Sequence, residues 1–301
     1  MDIVDLTYQK DIAHWTWTIA AFLWFVGIAG MGSVAYFFTR NKALGLTILP
    51  AMVIGLLFVV SHLTRWWNLP IALFTAVTEF TFNFQSWMFW GFLILSVHLV
   101  FAVVVAAANL EFLRRSVIGG ILEGLEGNKL FLAIFAFMGF VATAYSGFLI
   151  SAAAGIPLWN TALIPVLWVI SGGVASVALL ELYHVFGWTD ARVAHTGLRI
   201  GLGLDVMKLL AILAFLYIAA TVSTIGAQYG AQLMISGDLA MMTWVGIIGI
   251  GIIVPIVLGL YSLMFSERKP VLALSAVAAL VGVLMLRATI LMAGVWEPLV
   301  V

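Results

Sequence analysis

The chain has 301 residues, of which 64% are hydrophobic and 9% are charged, and its mean hydropathy is +1.19. An ordinary soluble domain has about 25% charged residues, so this composition excludes a water-exposed globular surface and indicates a protein whose partner is the lipid bilayer. The net charge of +0 argues against a nucleic-acid-binding surface, and the lack of cysteine excludes disulfides and cysteine-ligated zinc or iron–sulfur sites within the chain.

Eight apolar runs are long enough to cross the membrane, which takes ~20 helical residues for a ~30 Å hydrocarbon core. They lie at about 15–38, 43–63, 86–108, 130–154, 158–186, 200–222, 240–264 and 270–293. The predicted fold class is therefore an all-α integral membrane protein with eight transmembrane helices. The run FLWFVGIAGMGSVA in the first half resembles VLWVISGGVASVA in the second. This faint repeat predicts two four-helix bundles, at residues 1–154 and 155–301.

The positive charges predict the orientation of the chain. An even number of spans places both termini on one side, where only Lys10 and Arg65 are basic. The loops of the other side contain Arg40, Lys42, Arg114, Arg115, Lys129, Arg192, Arg199, Arg268 and Lys269. The positive-inside rule therefore predicts a multi-pass protein of the cytoplasmic (inner) membrane with both termini on the outer side.

Five polar side chains on four predicted helices converge at similar depth near the outer face: His14, His62, Arg65, Tyr145 and Arg287. Charges inside a bilayer are costly, so an intramembrane ionisable residue is a candidate functional residue. Simpler interpretations remain open. Arg287 can be a snorkelling side chain, and Tyr145 can be an interfacial belt residue.

Three charged residues lie in the inner half of the predicted bundle. Asp205 and Lys208 are three residues apart on the sixth span, a spacing that also fits a simple intrahelical ion pair. Together with Glu181 they are the candidate inner half of a proton route. Bis-histidine haem requires paired histidines at matched depth, and no internal pair is found, so no haem is expected in this chain. His98 is most simply interpreted as a buried, hydrogen-bonded histidine.

Three further segments carry predictions. The inner segment 109–129 is expected to form a short amphipathic surface helix. The outer segment 64–85 is rich in aromatic residues and is the candidate docking surface for a partner. Pro255, preceded by three glycines, predicts a kink in the seventh span.

Several stretches carry a family resemblance along nearly the whole chain. They are HWTWTIAAFLWFVGIAG, HLTRWWN followed by NFQSWMFWG, YSGFLISAAAGIPLWNTALIPVLWVISGG, and LRATILMAG. The chain resembles the NrfD/PsrC-type, polysulfide reductase-like membrane subunits. The resemblance implies a subunit without its own redox centre that binds a quinone, of menaquinone type. A ferredoxin-like multi-cluster iron–sulfur subunit and a molybdopterin (Mo or W) catalytic subunit are the implied partners.

The resemblance also implies roles for individual residues. His14 and Tyr145, with its neighbour Ser146, would hydrogen-bond the quinone oxygens, and Ser171 and Gly172 would line the approach. Where the family often has an acidic residue before the arginine of the second-span motif, this chain has His62. This departure leaves open which group takes the quinol proton. Arg65 is a further candidate catalytic residue and Arg287 a candidate binding residue, since a nearby arginine would stabilise negative charge on the quinone. A histidine of ordinary pKa suits such proton exchange.

Two other classes of function remain compatible with the sequence. Eight helices with internal repetition and buried charges also suit a secondary transporter, although such transporters usually have helices broken near the midplane in both halves. A membrane anchor without its own chemistry is the third interpretation. On the quinone interpretation, the chain is a quinone-reactive subunit of a multi-subunit oxidoreductase of the polysulfide/sulfur type or of another molybdopterin complex.

Overall fold

The structure is a computed structural model, and it describes residues 15–63, 65–265 and 268–297. In these residues, eight helices are long and apolar enough to cross a membrane, which confirms the predicted fold class. We number them spans 1 to 8 in chain order: Trp17–Thr39, Lys42–His62, Trp87–Asn109, Lys129–Ser151, Leu163–Val185, Ala191–Thr221, Met242–Met264 and Lys269–Met292.

The largest difference from the predicted spans is at the start of span 6. This helix begins at Ala191, whereas the hydropathy pattern predicts a start near residue 200. The extra turns contain basic and polar residues in the sequence ARVAHTGLR, which keep the helical backbone but lower its hydropathy. The helix therefore projects beyond the apolar segment that a hydropathy pattern detects.

Contacts near the chain ends define one face of the bundle, which we call the terminal face. Trp15, just before span 1, stacks on Trp159 at 5.6 Å between ring centroids. Trp159 lies between spans 4 and 5, and its Nε1 donates a hydrogen bond to the carbonyl of Ile290 near the end of span 8 at 2.8 Å. The starts of spans 1 and 5 and the ends of spans 4 and 8 thus share this face. The other face is called the opposite face.

In the described part of the chain, four shorter α-helices lie outside the spans, and the 3-10 turn Trp66–Asn68 directly precedes the first of them. On the terminal face they are Leu69–Thr78 and Ile225–Ile235, and on the opposite face Glu111–Arg114 and Gly119–Gly127. The predicted surface helix at 109–129 is thus present as two pieces. Glu297 anchors the start of the helix Ile225–Ile235, because its Oε2 accepts hydrogen bonds from the Thr224 hydroxyl at 2.7 Å and the Gly226 amide at 3.0 Å.

The spans pack in the same order in both halves of the chain. In the first half, spans 1 and 3 each pack against spans 2 and 4. In the second half, spans 6 and 8 each pack against spans 5 and 7. Spans 1 and 4 meet span 5, and span 1 also meets span 8, so one continuous core contains residues from both halves. Two separate four-helix bundles remain a prediction, since the shared core joins the halves.

Glycines allow the closest contacts between helices. Gly30 of span 1 faces Gly139 of span 4, and a side chain at either glycine would overlap the backbone of the other. Gly251 of span 7 and Gly282 of span 8 meet in the same way. Small residues at helix interfaces are typical of membrane proteins, where close van der Waals contact stabilises helix association.

Span 7 changes its helical geometry at the position of the predicted kink. Residues Met242–Ile253 form a wide π-helical stretch, and the amide of Val254 donates to the carbonyl of Gly249, five residues earlier. The α-helix Val254–Met264 then follows, with Pro255 in its first turn. Proline has no amide hydrogen and cannot donate to the carbonyl of Gly251 four residues back.

Candidate functional site

Tyr145 of span 4 lies in the interior, about two turns from the terminal-face end of its helix. It is 5% exposed, and its ring and hydroxyl pack against Gly91 of span 3, where any side chain would overlap them. One turn further along span 4, Phe148 stacks on Trp87 at 5.7 Å between ring centroids. The Tyr145 hydroxyl is therefore positioned by a glycine in an otherwise apolar and aromatic setting, and the buried location excludes a simple belt residue.

His62 lies at the end of span 2 on the terminal face and is half-buried. Its Nδ1 is 3.3 Å from the hydroxyl of Thr18 at the start of span 1. Arg65 follows in the connecting loop and is exposed. His14 lies outside the described residues. Its neighbour but one, Thr16, precedes span 1 at this same face.

Arg287 of span 8 is fully buried, which rules out snorkelling to the membrane surface. Its Nη1 donates to the hydroxyl of Ser171 and to the carbonyl of Val283, both at 3.1 Å, and its Nη2 donates to the carbonyl of Trp168 at 3.5 Å. Its guanidinium carbon lies 5.3 Å from the centre of the Trp168 ring. Arg287 thus cross-links spans 5 and 8, while its Nε has no hydrogen-bond partner in the described part of the chain.

The guanidinium group fits only because span 1 presents a glycine to it. A side chain carbon at Gly27 would lie 2.6 Å from Nη2 of Arg287. Three spans therefore enclose this charge, and dipoles of a hydroxyl and two carbonyls surround it. A buried cation whose ligands are all neutral retains a field that favours a nearby negative charge.

The remaining predicted binding residues lie at closed helix contacts. The Ser146 hydroxyl donates to the carbonyl of Thr143 in its own helix at 2.7 Å. Ser171 donates to the carbonyl of Trp168 at 3.3 Å, while it accepts from Arg287. A side chain at Gly172 would meet Met31 at 2.9 Å. In the described residues, no hydrogen bond joins any two of Tyr145, His62, Arg65 and Arg287. Ser171 and Arg287 are the one pair of predicted binding residues that are bonded here.

The predicted inner charges are brought together around one small cavity. Lys208 donates to Asp205 Oδ1 at 2.7 Å, which confirms the intrahelical ion pair, and also to the carbonyl of Gly251 at 2.9 Å. Asp205 and Glu181 both line a cavity of about 20 Å³, to which Ser275 and Pro255 also contribute. A polar cavity of this size holds about one water molecule. The carbonyl that Pro255 leaves without its α-helical donor is the one that Lys208 occupies.

Sequence reasoning missed a second polar set, in the first half of the chain. His98 of span 3 is fully buried, as predicted, and its Nε2 lies 2.8 Å from the Ser33 hydroxyl of span 1. The Ser33 hydroxyl also bonds the carbonyl of Ala29 at 2.9 Å, while the other ring nitrogen of His98, Nδ1, has no hydrogen-bond partner in the described chain.

A second polar cluster in this half of the chain lies closer to the opposite face. The Tyr36 hydroxyl donates to Glu126 at 2.8 Å and accepts from Asn109 at 2.8 Å. Arg114 completes the cluster as an ion-pair partner of Glu126 at 3.6 Å. The pairing of Tyr36 with Glu126 spans 90 positions of sequence. The only signal in one sequence was that a tyrosine and an asparagine occur near the same ends of spans 1 and 3.

Comparison with known proteins covers nearly the whole chain. Residues 5–297 match the family model described as "Polysulphide reductase, NrfD". The chain is 29% identical to Protein NrfD of Escherichia coli (strain K12), with 93% of this chain and 94% of that protein covered. It is 27% identical to the C subunit of the polysulfide reductase of Wolinella succinogenes, with 95% of this chain and 96% of that protein covered. This end-to-end match, on a chain with eight spanning helices, shows that the protein belongs to the NrfD/polysulphide reductase family of membrane proteins.

Proposed function

We propose that this protein is the quinone-reactive membrane subunit of a respiratory oxidoreductase complex, and that quinone or quinol binds near the terminal face. The observation that carries the proposal is the Tyr145 hydroxyl, which is buried next to Gly91 close to that face. A phenol in an apolar and aromatic setting suits a quinone, whose ring and tail are apolar and whose two oxygens accept hydrogen bonds.

The residues at the terminal face suit the proton chemistry of this substrate. Oxidation of a quinol releases two electrons and two protons, and quinone reduction takes up the same number. Tyr145 would donate a hydrogen bond to one substrate oxygen. His62, half-buried at the membrane surface, would exchange a proton with the substrate and with water, and the resemblance gives His14 the same role. The cation of Arg65, which is exposed at this face, would stabilise negative charge that develops on the substrate.

The electrons require a partner, because the chain has no cysteine to ligate a cluster. A ferredoxin-like iron–sulfur subunit docked on the terminal face would take them, and a molybdopterin-containing catalytic subunit would lie beyond it. The segment 65–85 is our proposed contact surface, since it has several large exposed aromatic side chains: Trp66, Trp67, Phe74, Phe80 and Phe84. The Wolinella relative is named as one lettered component of a polysulfide reductase, which supports a multi-subunit assembly.

Quinone binding to the purified chain tests the proposal directly. We would titrate a short-tailed menaquinone analogue and follow quenching of the tryptophan fluorescence. Tyr145→Phe should weaken binding about two- to tenfold, the value of one hydrogen bond. The matched control is Tyr217→Phe, because Tyr217 is 67% exposed on span 6 and should not affect binding. Binding that is saturable but equal in all three proteins would refute the role of Tyr145. If neither the purified chain nor the whole complex bound the analogue, the result would favour a membrane anchor without its own chemistry.

A proton route between the opposite face and the interior is the second part of the proposal. Glu181 and Asp205 line a cavity with room for about one water molecule, and Lys208 bonds Asp205, so a proton could be passed among the three. With the terminal face outside the cell, quinone chemistry there yields a membrane potential only if protons cross from the other side. In vesicles containing the whole complex, Asp205→Asn should abolish proton uptake from the opposite face while quinone turnover continues. Unchanged uptake would exclude the route.

A further inference from the structure

A large cavity lies in the half of the membrane next to the opposite face. It has a volume of about 450 Å³ and lies between spans 1, 5 and 6. Its wall is mostly aliphatic and aromatic, and two lining residues are directed at the bilayer, Phe38 at 77% and Ile200 at 54% exposure. The cavity is therefore a cleft open to lipid.

The dimensions of the cleft correspond to one leaflet. On span 6 its wall extends from Arg192 to Leu204, a distance of about 18 Å at the helical rise of 1.5 Å per residue, and this length includes the polar turns at the start of the span. One leaflet of the hydrocarbon core is about 15 Å deep. A single acyl chain that enters at the membrane surface would run along the cleft for its full length.

The rim of the cleft carries a positive charge. Arg192 lies in the first turn of span 6, at the opposite face, and lines the cleft together with the hydroxyl-bearing Thr196 and Thr39. An arginine at this place suits a phosphodiester group, because guanidinium binds phosphate through charge-assisted hydrogen bonds. The two threonine hydroxyls already donate within their own helices, Thr196 to the carbonyl of Arg192 at 3.0 Å and Thr39 to that of Ala35 at 2.9 Å, so Arg192 is the group that would bind the phosphate. The neutral oxygens of a quinone offer no such charge.

We infer that this cleft is a binding site for an anionic glycerophospholipid, with one acyl chain between spans 1, 5 and 6 and the phosphate against Arg192. The apolar wall, the length of one leaflet and the basic rim each match a different part of that molecule. The site is independent of the proposed quinone chemistry, which lies at the other face.

Glycines on span 6 provide a matched pair of variants. At Gly197, which lines the cleft, an added side chain would first meet Val177 at an ordinary contact distance of 3.6 Å, so a phenylalanine there would occupy the cleft without displacing backbone. At Gly203, which is exposed and outside the cleft, no atom lies within 4 Å of an added carbon. Gly203→Phe therefore has the same chemistry and helix cost as Gly197→Phe but leaves the cleft open.

The test uses full-length protein in nanodiscs with phosphatidylglycerol or phosphatidylcholine that carries a photoreactive acyl chain. Crosslinks should map to the cleft walls of spans 1, 5 and 6, and Gly197→Phe should abolish them while Gly203→Phe does not. Arg192→Gln should reduce the preference for phosphatidylglycerol about fivefold, as expected for one basic residue near anionic lipid. The control for charge is Arg199→Gln on the same helix, which is outside the cleft and should have little effect.

Three results would overturn the inference. Equal crosslinking of both lipids in wild type would show that the rim does not select an anionic headgroup. Crosslinking that persists in Gly197→Phe would place the acyl chain elsewhere. Loss of crosslinking on addition of a menaquinone analogue would identify the occupant as a quinone.

Discussion

The buried ion pair of span 6 gives a quantitative prediction for stability. The side chains of Lys208 and Asp205 are 1% and 6% exposed, and their atoms are 2.7 Å apart, so water screens the pair very little. Removal of one partner from a buried pair costs about 3–5 kcal/mol, because the other charge is left without compensation. We expect Lys208→Met to lower the free energy of unfolding by this amount.

The double variant Asp205→Leu/Lys208→Met separates the charge effect from packing. Well-packed apolar residues often replace a buried ion pair without loss of stability. The double variant should therefore lie within about 1–2 kcal/mol of wild type and be more stable than either single variant. The control is Lys42→Met, which breaks an ion pair with Glu111 whose side chains are 55% and 70% exposed, and which should be close to neutral.

Reversible unfolding in mixed micelles, followed by tryptophan fluorescence, measures these differences. The reasoning would be refuted if Lys208→Met were as stable as the Lys42→Met control. It would also be refuted if the double variant were less stable than both single variants, because the pair would then contribute through packing and not through charge.

Further predictions concern helix contacts, the buried arginine and one surface carboxylate. Gly139→Leu should destabilise the protein by about 1–3 kcal/mol, because spans 1 and 4 must separate to make room for the side chain. The control Gly203→Leu should not destabilise it, and equal melting temperatures of the two variants would contradict the prediction. Arg287→Lys should cost about 1–3 kcal/mol in the same unfolding assay, since one ammonium nitrogen replaces the two guanidinium nitrogens that bond Ser171, Trp168 and Val283. An unchanged value would show that these bonds do not stabilise the fold. Lys42 lowers the pKa of the Glu111 carboxyl, so their weak attraction is present at neutral pH and is lost as the pH falls through that lowered value. The free energy of unfolding of Glu111→Gln should therefore equal that of wild type below this pH and differ at most slightly above it. A large difference at any pH would be inconsistent with the exposure of this side chain.

Hydropathy predicts the spans because the bilayer imposes both their length and their polarity. Each of the eight predicted runs overlaps a helix of the structure, and the start of span 6 at Ala191 is missed because the first turns of this helix are basic and polar. The helices Leu69–Thr78 and Ile225–Ile235 were not predicted as helices. They do not cross the core, so neither length nor hydropathy separates them from loops.

The candidate site is less accessible to sequence reasoning, because depth alone does not determine which side chains meet. The pair Asp205 and Lys208 is predicted correctly since both residues are on one helix turn. Arg287 is predicted as an unusual residue, but its bond to Ser171 crosses 116 positions of sequence. The partner of His98 is likewise Ser33 on another helix, and one sequence contains no information on that pairing.

The proline of span 7 leaves a backbone carbonyl for Lys208 to bind. In an α-helix, a carbonyl that binds an outside group must share or lose its donor four residues later, and the helix is weakened. Since Pro255 cannot donate, the Gly251 carbonyl has no such donor to lose. An ammonium that leaves or returns to this carbonyl breaks no α-helical rung. Span 7 therefore offers Lys208 a carbonyl whose bond to the ammonium displaces no α-helical hydrogen bond.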